Sequence, residues 1–174
     1  MKPEASMMSK PLASLNKVAV YAKRFPSLDQ EGFRTYLMVR NLQTRMTQGL
    51  EVSLGRYGLS FGRFMVLVHL IQAEGHQLTP AELATLCGVT RATVTGLVDT
   101  LEKARYVTRE ADPADRRSLL VRLTMTGQRF LEKMLPEHFN RLSRFMGALT
   151  RAEQKTMQAF CNTLTSAVGV LEKP

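Results

Sequence analysis

The stretch from Thr79 to Gly127 constrains the fold more than any other part of the chain. Thr79-Pro80-Ala81-Glu82 combines an N-cap hydroxyl, a proline at the first helical position and a glutamate at the third. The helix it opens is short, with Leu83, Ala84 and Cys87 turned inward, and Gly88 stops it by supplying the positive φ a tight corner needs. Thr90 caps the next helix, whose inner face is Val94, Leu97, Val98 and Leu101. Ala84 falls where the two helices cross, and only a small side chain lets them approach. That spacing is a helix-turn-helix. Tyr106-Val107-Thr108-Arg109 and Leu119-Leu120-Val121-Arg122-Leu123 then read as strands, the second with Leu119, Val121 and Leu123 alternating inward. The polar run Ala111-Asp112-Pro113-Ala114-Asp115-Arg116-Arg117 between them is a hairpin tip, so the set predicts a two-stranded wing.

Amphipathic helices flank this segment. Residues 11–24 place Leu12, Leu15, Val18 and Ala22 on one face, and Phe25-Pro26 ends the element. Ser27 and Gln30 have capping-box spacing for a second helix striped by Phe33, Leu37, Val39, Leu42, Met46, Leu50 and Leu54, closed at Gly58. Ser60 caps a third, with Phe64, Leu67, Val68 and Ile71 inward, ending at Glu74-Gly75. After Thr124 a long helix carries Phe130, Met134, Phe139, Leu142, Phe145 and Leu149, with Pro136 expected to kink it. Thr150 and Glu153 form a capping box for the last helix, striped by Met157, Phe160, Cys161, Leu164, Val168 and Leu171. The fold class is mainly α, a winged helix-turn-helix between N- and C-terminal helices.

At 174 residues the chain suits one core, or one core with an appended oligomerisation element. Its two cysteines cannot form a disulfide framework, no apolar run reaches membrane length, and Pro3 and Glu4 stand where a signal peptide would be apolar. A cytoplasmic protein without membrane contact is expected. A formal charge of +9 leaves two readings, simple solubility or a polyanionic partner, most often nucleic acid.

The helix-turn-helix favours the second reading. In such a module the second helix enters the major groove of double-stranded DNA and presents residues near its N-terminus. With Val94, Leu97 and Val98 inward, Arg91, Ala92, Thr95 and Gly96 face out, with Thr90 and Thr93 beside the helix start. Arginine can address guanine O6 and N7, and threonine can reach thymine or phosphate. At the wing tip Asp112 and Asp115 are placed to brace Arg116 and Arg117 for a narrow, electronegative minor groove.

Leu83-Ala84, Gly88-Val89-Thr90, Val94-Thr95, Leu101-Glu102, Val107-Thr108-Arg109, Asp112-Pro113-Ala114-Asp115-Arg116-Arg117 and Leu123-Thr124-Met125-Thr126-Gly127 together resemble the MarR family of bacterial transcriptional regulators. The resemblance covers roughly residues 29–171. One departure is Arg105, where the family usually has the glycine that closes the recognition helix. The resemblance implies a homodimer on a palindromic operator, more often a repressor than an activator, with Arg117 in the position of the family's minor-groove arginine. It divides the chain into a basic extension with a short amphipathic helix (1–28), dimerisation helices (29–57 and 125–171) and a winged helix-turn-helix region (58–124). The flanking helices are also more apolar than a winged domain of about 70 residues could cover, which independently calls for another surface.

Many family members are released from DNA by small aromatic acids, phenols or their thioesters. The matching segments here hold Arg40, Arg63, His69, Tyr36 and Phe64, a cationic and aromatic set suited to an aromatic carboxylate. Other members sense oxidants, which makes Cys87 and Cys161 an alternative; a winged helix used only for protein–protein contact is another. No enzyme is expected, since phosphate-binding, dinucleotide, zinc-protease and serine-hydrolase motifs are all missing. His69, His76 and His138 show no zinc spacing, and no cofactor is expected.

Overall fold

The computed structural model describes residues 18–111 and 119–171. They fall into two compact units, one of residues up to His69 with Ala81–Val98, the other of Leu70–Pro80 with the chain from Asp99 onward. The elements are α1 (Val18–Arg24), α2 (Gln30–Gly55), α3 (Phe61–Gln72), a 3-10 turn (Glu74–His76), β1 (Gln77–Leu78), α4 (Pro80–Cys87) and α5 (Arg91–Lys103). β2 (Val107–Ala111), β3 (Leu119–Leu123), α6 (Met125–Met146), α7 (Arg151–Ala167) and a 3-10 turn (Val168–Val170) follow. The fold is thus mainly helical with a small sheet, as expected. Residues 11–17 of the first expected helix lie outside the described residues.

The start of α2 differs from the expected capping box. Leu28 N–H donates to the Phe25 carbonyl at 3.0 Å, closing a turn that holds Pro26 and Ser27 at its centre. Proline's fixed φ suits that position, and the turn uses up Ser27. Asp29 caps instead, its carboxylate accepting from Gly32 N–H at 3.1 Å. Ser60 caps α3 as expected, accepting from Arg63 N–H at 3.3 Å, while Glu51 accepts from Phe61 N–H at 3.0 Å. Two amide groups at the start of that helix are therefore satisfied by side chains.

Gly88 has φ of +65°, and the bonds around it close α4. Gly88 N–H donates to Thr85 O at 3.2 Å and Val89 N–H to Ala84 O at 3.0 Å, the paired pattern of a Schellman cap. The same pair ends α5, from Arg105 N–H to Glu102 O at 2.8 Å and from Tyr106 N–H to Leu101 O at 2.9 Å. Arg105 therefore takes φ of +61°. The cap geometry survives the departure from glycine, at a steric cost of about 1–2 kcal/mol for an L-residue.

The wing is joined by a strand the sequence reading missed. β1 pairs antiparallel with β3 (Gln77 opposite Arg122, Leu78 opposite Val121), and β3 pairs with β2 (Arg109 opposite Val121, Ala111 opposite Leu119), giving the order β1-β3-β2. As the central strand, β3 buries Leu120 and Val121 in succession. Leu119, expected inward, is exposed where the ladder ends.

In the first unit the buried side chains include Leu54, Phe64, Leu67, Leu83, Val94 and Val98; in the second, Leu101, Val107, Val121, Leu123, Leu131 and Met134. The outer helices behave otherwise. The stripes of α2 and α7 form helices as expected, with Val168 in the 3-10 turn beyond α7, yet Val39, Leu42, Met46, Phe160, Leu164 and Val168 are exposed. No other described residue covers them.

Candidate nucleic-acid interface

The first turns of α5 are built to present polar groups outward. Thr90 Oγ1 accepts from Thr93 N–H at 3.2 Å and lies 2.9 Å from Thr93 Oγ1, so the two hydroxyls form one cap. Thr95 Oγ1 donates to Arg91 O at 3.1 Å, which turns its proton back to the helix, while the residue itself stays exposed. Val94 and Val98 anchor the opposite face, both essentially inaccessible. Leu97, expected beside them, is half-buried. Thr90, Arg91, Ala92, Thr93, Thr95 and Gly96 are all exposed.

The electrostatics of this face are positive. No acidic residue occupies the first turn of α5, so its N-terminal partial charge is not neutralised there. Arg91 adds a full charge, and no described acidic side chain pairs with it. A helix N-terminus with exposed arginine and threonine is chemically suited to phosphate oxygens and to the acceptors of base edges.

The second unit holds a clamp that the sequence reading overlooked. Arg109 on β2 donates to Asp99 Oδ1 at 2.6 Å and to Glu102 Oε2 at 2.5 Å, both on the C-terminal part of α5. Its backbone N–H also donates to Glu102 Oε1 at 3.1 Å. A guanidinium bridging two carboxylates fixes orientation better than a single ion pair, and here it sets the base of the wing against the end of α5. Two acids three residues apart on a helix, followed by an arginine on the next strand, were the available signal. Arg122 likewise pairs across the sheet with Glu110 at 3.0 Å.

Asp112, Asp115, Arg116 and Arg117 lie outside the described residues. The five residues expected to meet an effector all lie in the first unit. Tyr36 and Arg40 are exposed one turn apart on α2, the tyrosine at 50%. Arg63 is half-buried and its Nε donates to Ser60 Oγ at 3.1 Å, while Phe64 belongs to the core. The ring of His69 is half-buried, with Nε2 enclosed and without a hydrogen-bond partner. Burial raises the Cys87 thiol above its ordinary pKa, which lowers its thiolate fraction and argues against a redox role there. Cys161 is exposed on α7.

Comparison with known proteins agrees with this geometry. The sequence model of the MarR family matches residues 57–118. The HTH-type transcriptional repressor YetL of Bacillus subtilis is 33% identical over 140 residues, covering 80% of this chain and 84% of that protein. The transcriptional repressor MprA of Escherichia coli is 29% identical over 133 residues, 76% of each chain. Among solved structures, the MarR family regulator Sco3205 of Streptomyces coelicolor, crystallised in complex with DNA, superposes with a TM-score of 0.70 at 26% identity. That match covers 80% of this chain and 86% of the other.

Proposed function

The chain belongs to the MarR family of transcriptional regulators, and on that premise we propose that it represses transcription as a homodimer bound to a palindromic operator and released by a small aromatic acid, phenol or thioester. The observation that carries the DNA-binding part is the outward face of α5, where Arg91 and Thr95 stand exposed on a capped helix with no acid in its first turn. In this reading α5 enters the major groove, Arg91 and Thr95 address bases, and Thr90 and Thr93 hold the helix end and meet phosphate. In the same proposal the wing tip serves the minor groove, with Arg117 at the position the resemblance assigns to it and Asp112 and Asp115 read from the sequence as bracing Arg116 and Arg117. Residues 29–57 and 125–171 supply the dimer seam, and half-sites lie about 34 Å apart, one helical turn.

The test uses a duplex selected by the wild-type protein from a randomised pool, beside a scrambled duplex of the same composition. Arg91→Ala and Thr95→Ala should each cost about 1–3 kcal/mol on the selected duplex and much less on the scrambled one, because base contacts specify while phosphate contacts position. Equal losses on both duplexes would make these residues phosphate contacts.

For the effector, Arg40 is the proposed carboxylate partner, with Tyr36 one turn away and His69 as a second polar group whose enclosed Nε2 has no partner. A ligand that prefers the form of the dimer unable to span both half-sites lowers DNA affinity by its differential binding, typically 1–3 kcal/mol, and DNA lowers ligand affinity equally. With a panel of benzoates and hydroxybenzoates, Arg40→Ala should keep its affinity for the selected duplex and lose the release. Release from this variant at unchanged ligand concentration would refute the site and leave the regulator reading standing.

A further inference from the structure

At one position of α5, no described neighbour calls for the absence of a side chain. Gly96 lies mid-helix and exposed, next to Thr95. Glycine is a poor choice in a helix interior, since it loses the most freedom on folding and leaves backbone uncovered. At some positions the choice is forced: Gly88 takes a positive φ, and a Cβ on Gly62 would come within 3.2 Å of Leu97 Cδ2. A Cβ on Gly96 would meet nothing within 4 Å, and no positive φ is involved. Gly49 and Gly55 on α2 and Gly169 near the C-terminus are open in the same way, but they lie outside the face of α5.

We propose that Gly96 is where α5 comes closest to the floor of the DNA major groove, and that its missing side chain is a determinant of sequence preference. This rests on the reading of α5 as the recognition helix. An arginine such as Arg91 reaches a base from a distance, but the methyl and hydroxyl of Thr95 are short and reach one only when the helix axis lies deep in the groove. The residue beside Thr95 must then leave its space to a base edge, and glycine lets backbone approach where a methyl group would hold it off.

Gly96→Ala tests this because helix propensity and groove approach predict opposite signs. The melting temperature of the free protein should rise by about 2–4 °C, as expected for removing a helical glycine from a chain of this size. Kd for the wild-type-selected duplex should rise about tenfold or more, with the scrambled duplex changing less than about twofold, in keeping with a lost base contact. Unchanged affinity for the selected duplex, or an equal loss on both duplexes, would overturn the proposal. So would a fall in melting temperature, which would reveal a neighbour inside the protein. Arg91→Ala, measured in parallel, separates the two levels: if it leaves the selected duplex fully bound, the recognition-helix reading itself fails.

Discussion

Gly127→Ala is expected to lower the melting temperature by about 6–12 °C, the opposite of what this exchange does in an open helix. Gly127 sits in the first turn of α6, where Thr124 caps the helix by accepting from Gly127 N–H at 3.0 Å. A Cβ there would fall inside the contact radius of the Tyr106 carbonyl oxygen, 3.1 Å from its carbon and 2.7 Å from Leu123 Cδ1. The carbonyl cannot give way cheaply. It accepts from Thr124 N–H at 3.0 Å and lies 3.1 Å from the Thr124 hydroxyl, which is also 2.7 Å from Arg105 O. The Tyr106 ring stacks on Phe130 at 4.4 Å between centroids, so a shift of the backbone would disturb that contact too. Overpacking against fixed backbone costs about 3 kcal/mol, a large share of the 5–15 kcal/mol that holds a domain folded. Thermal unfolding decides the matter. A melting temperature equal to or above wild type would mean that α6 moves freely against the segment leading into β2, contrary to this geometry.

The same geometry explains why this part of the fold was legible. Leu123-Thr124-Met125-Thr126-Gly127 is a local device: the threonine ties the helix start to the end of α5, and the glycine lets the two backbones touch. Pro80 at the first position of α4, Gly88 and the Thr150–Glu153 box are local in the same sense, each marking one boundary at its own place in the chain. Where two signals competed, sequence order could not decide. Ser27 and Asp29 are both cap residues, and the Phe25–Leu28 turn settled it. β1 is two residues long, too short for any periodicity, and exists because β3 offers it an edge. The Arg109 clamp was easy to overlook because its partners lie seven and ten residues away, so the acid pair on α5 showed but its link to the strand did not follow from any helical or strand period. For the outer helices, periodicity identified which faces are apolar, but amphipathicity does not say what covers them.

That uncovered surface leads to the other large effect. In the homodimer proposed above, Leu164→Asp is expected to leave the secondary structure of the protomer in place while raising the dimer dissociation constant by about a hundredfold or more. Leu164 is 54% exposed in the chain by itself, and Phe160 one turn before it is 64% exposed. A carboxylate at position 164 therefore replaces no intramolecular core contact, and whatever it costs is charged to the assembly. In an isologous interface the substitution enters twice, once from each protomer. An unpaired carboxylate in an apolar seam costs about 3–5 kcal/mol, so one burial alone shifts the constant by about a hundredfold or more, and the second adds to it unless the groups protonate. Because protonation restores neutrality, the defect should ease as pH falls towards the carboxyl range, whereas a general loss of folding would not recover. Light scattering across micromolar concentrations, at neutral and mildly acidic pH, separates these cases. A wild-type protein that is monomeric throughout, or a variant that stays dimeric at neutral pH, would remove the seam from α7.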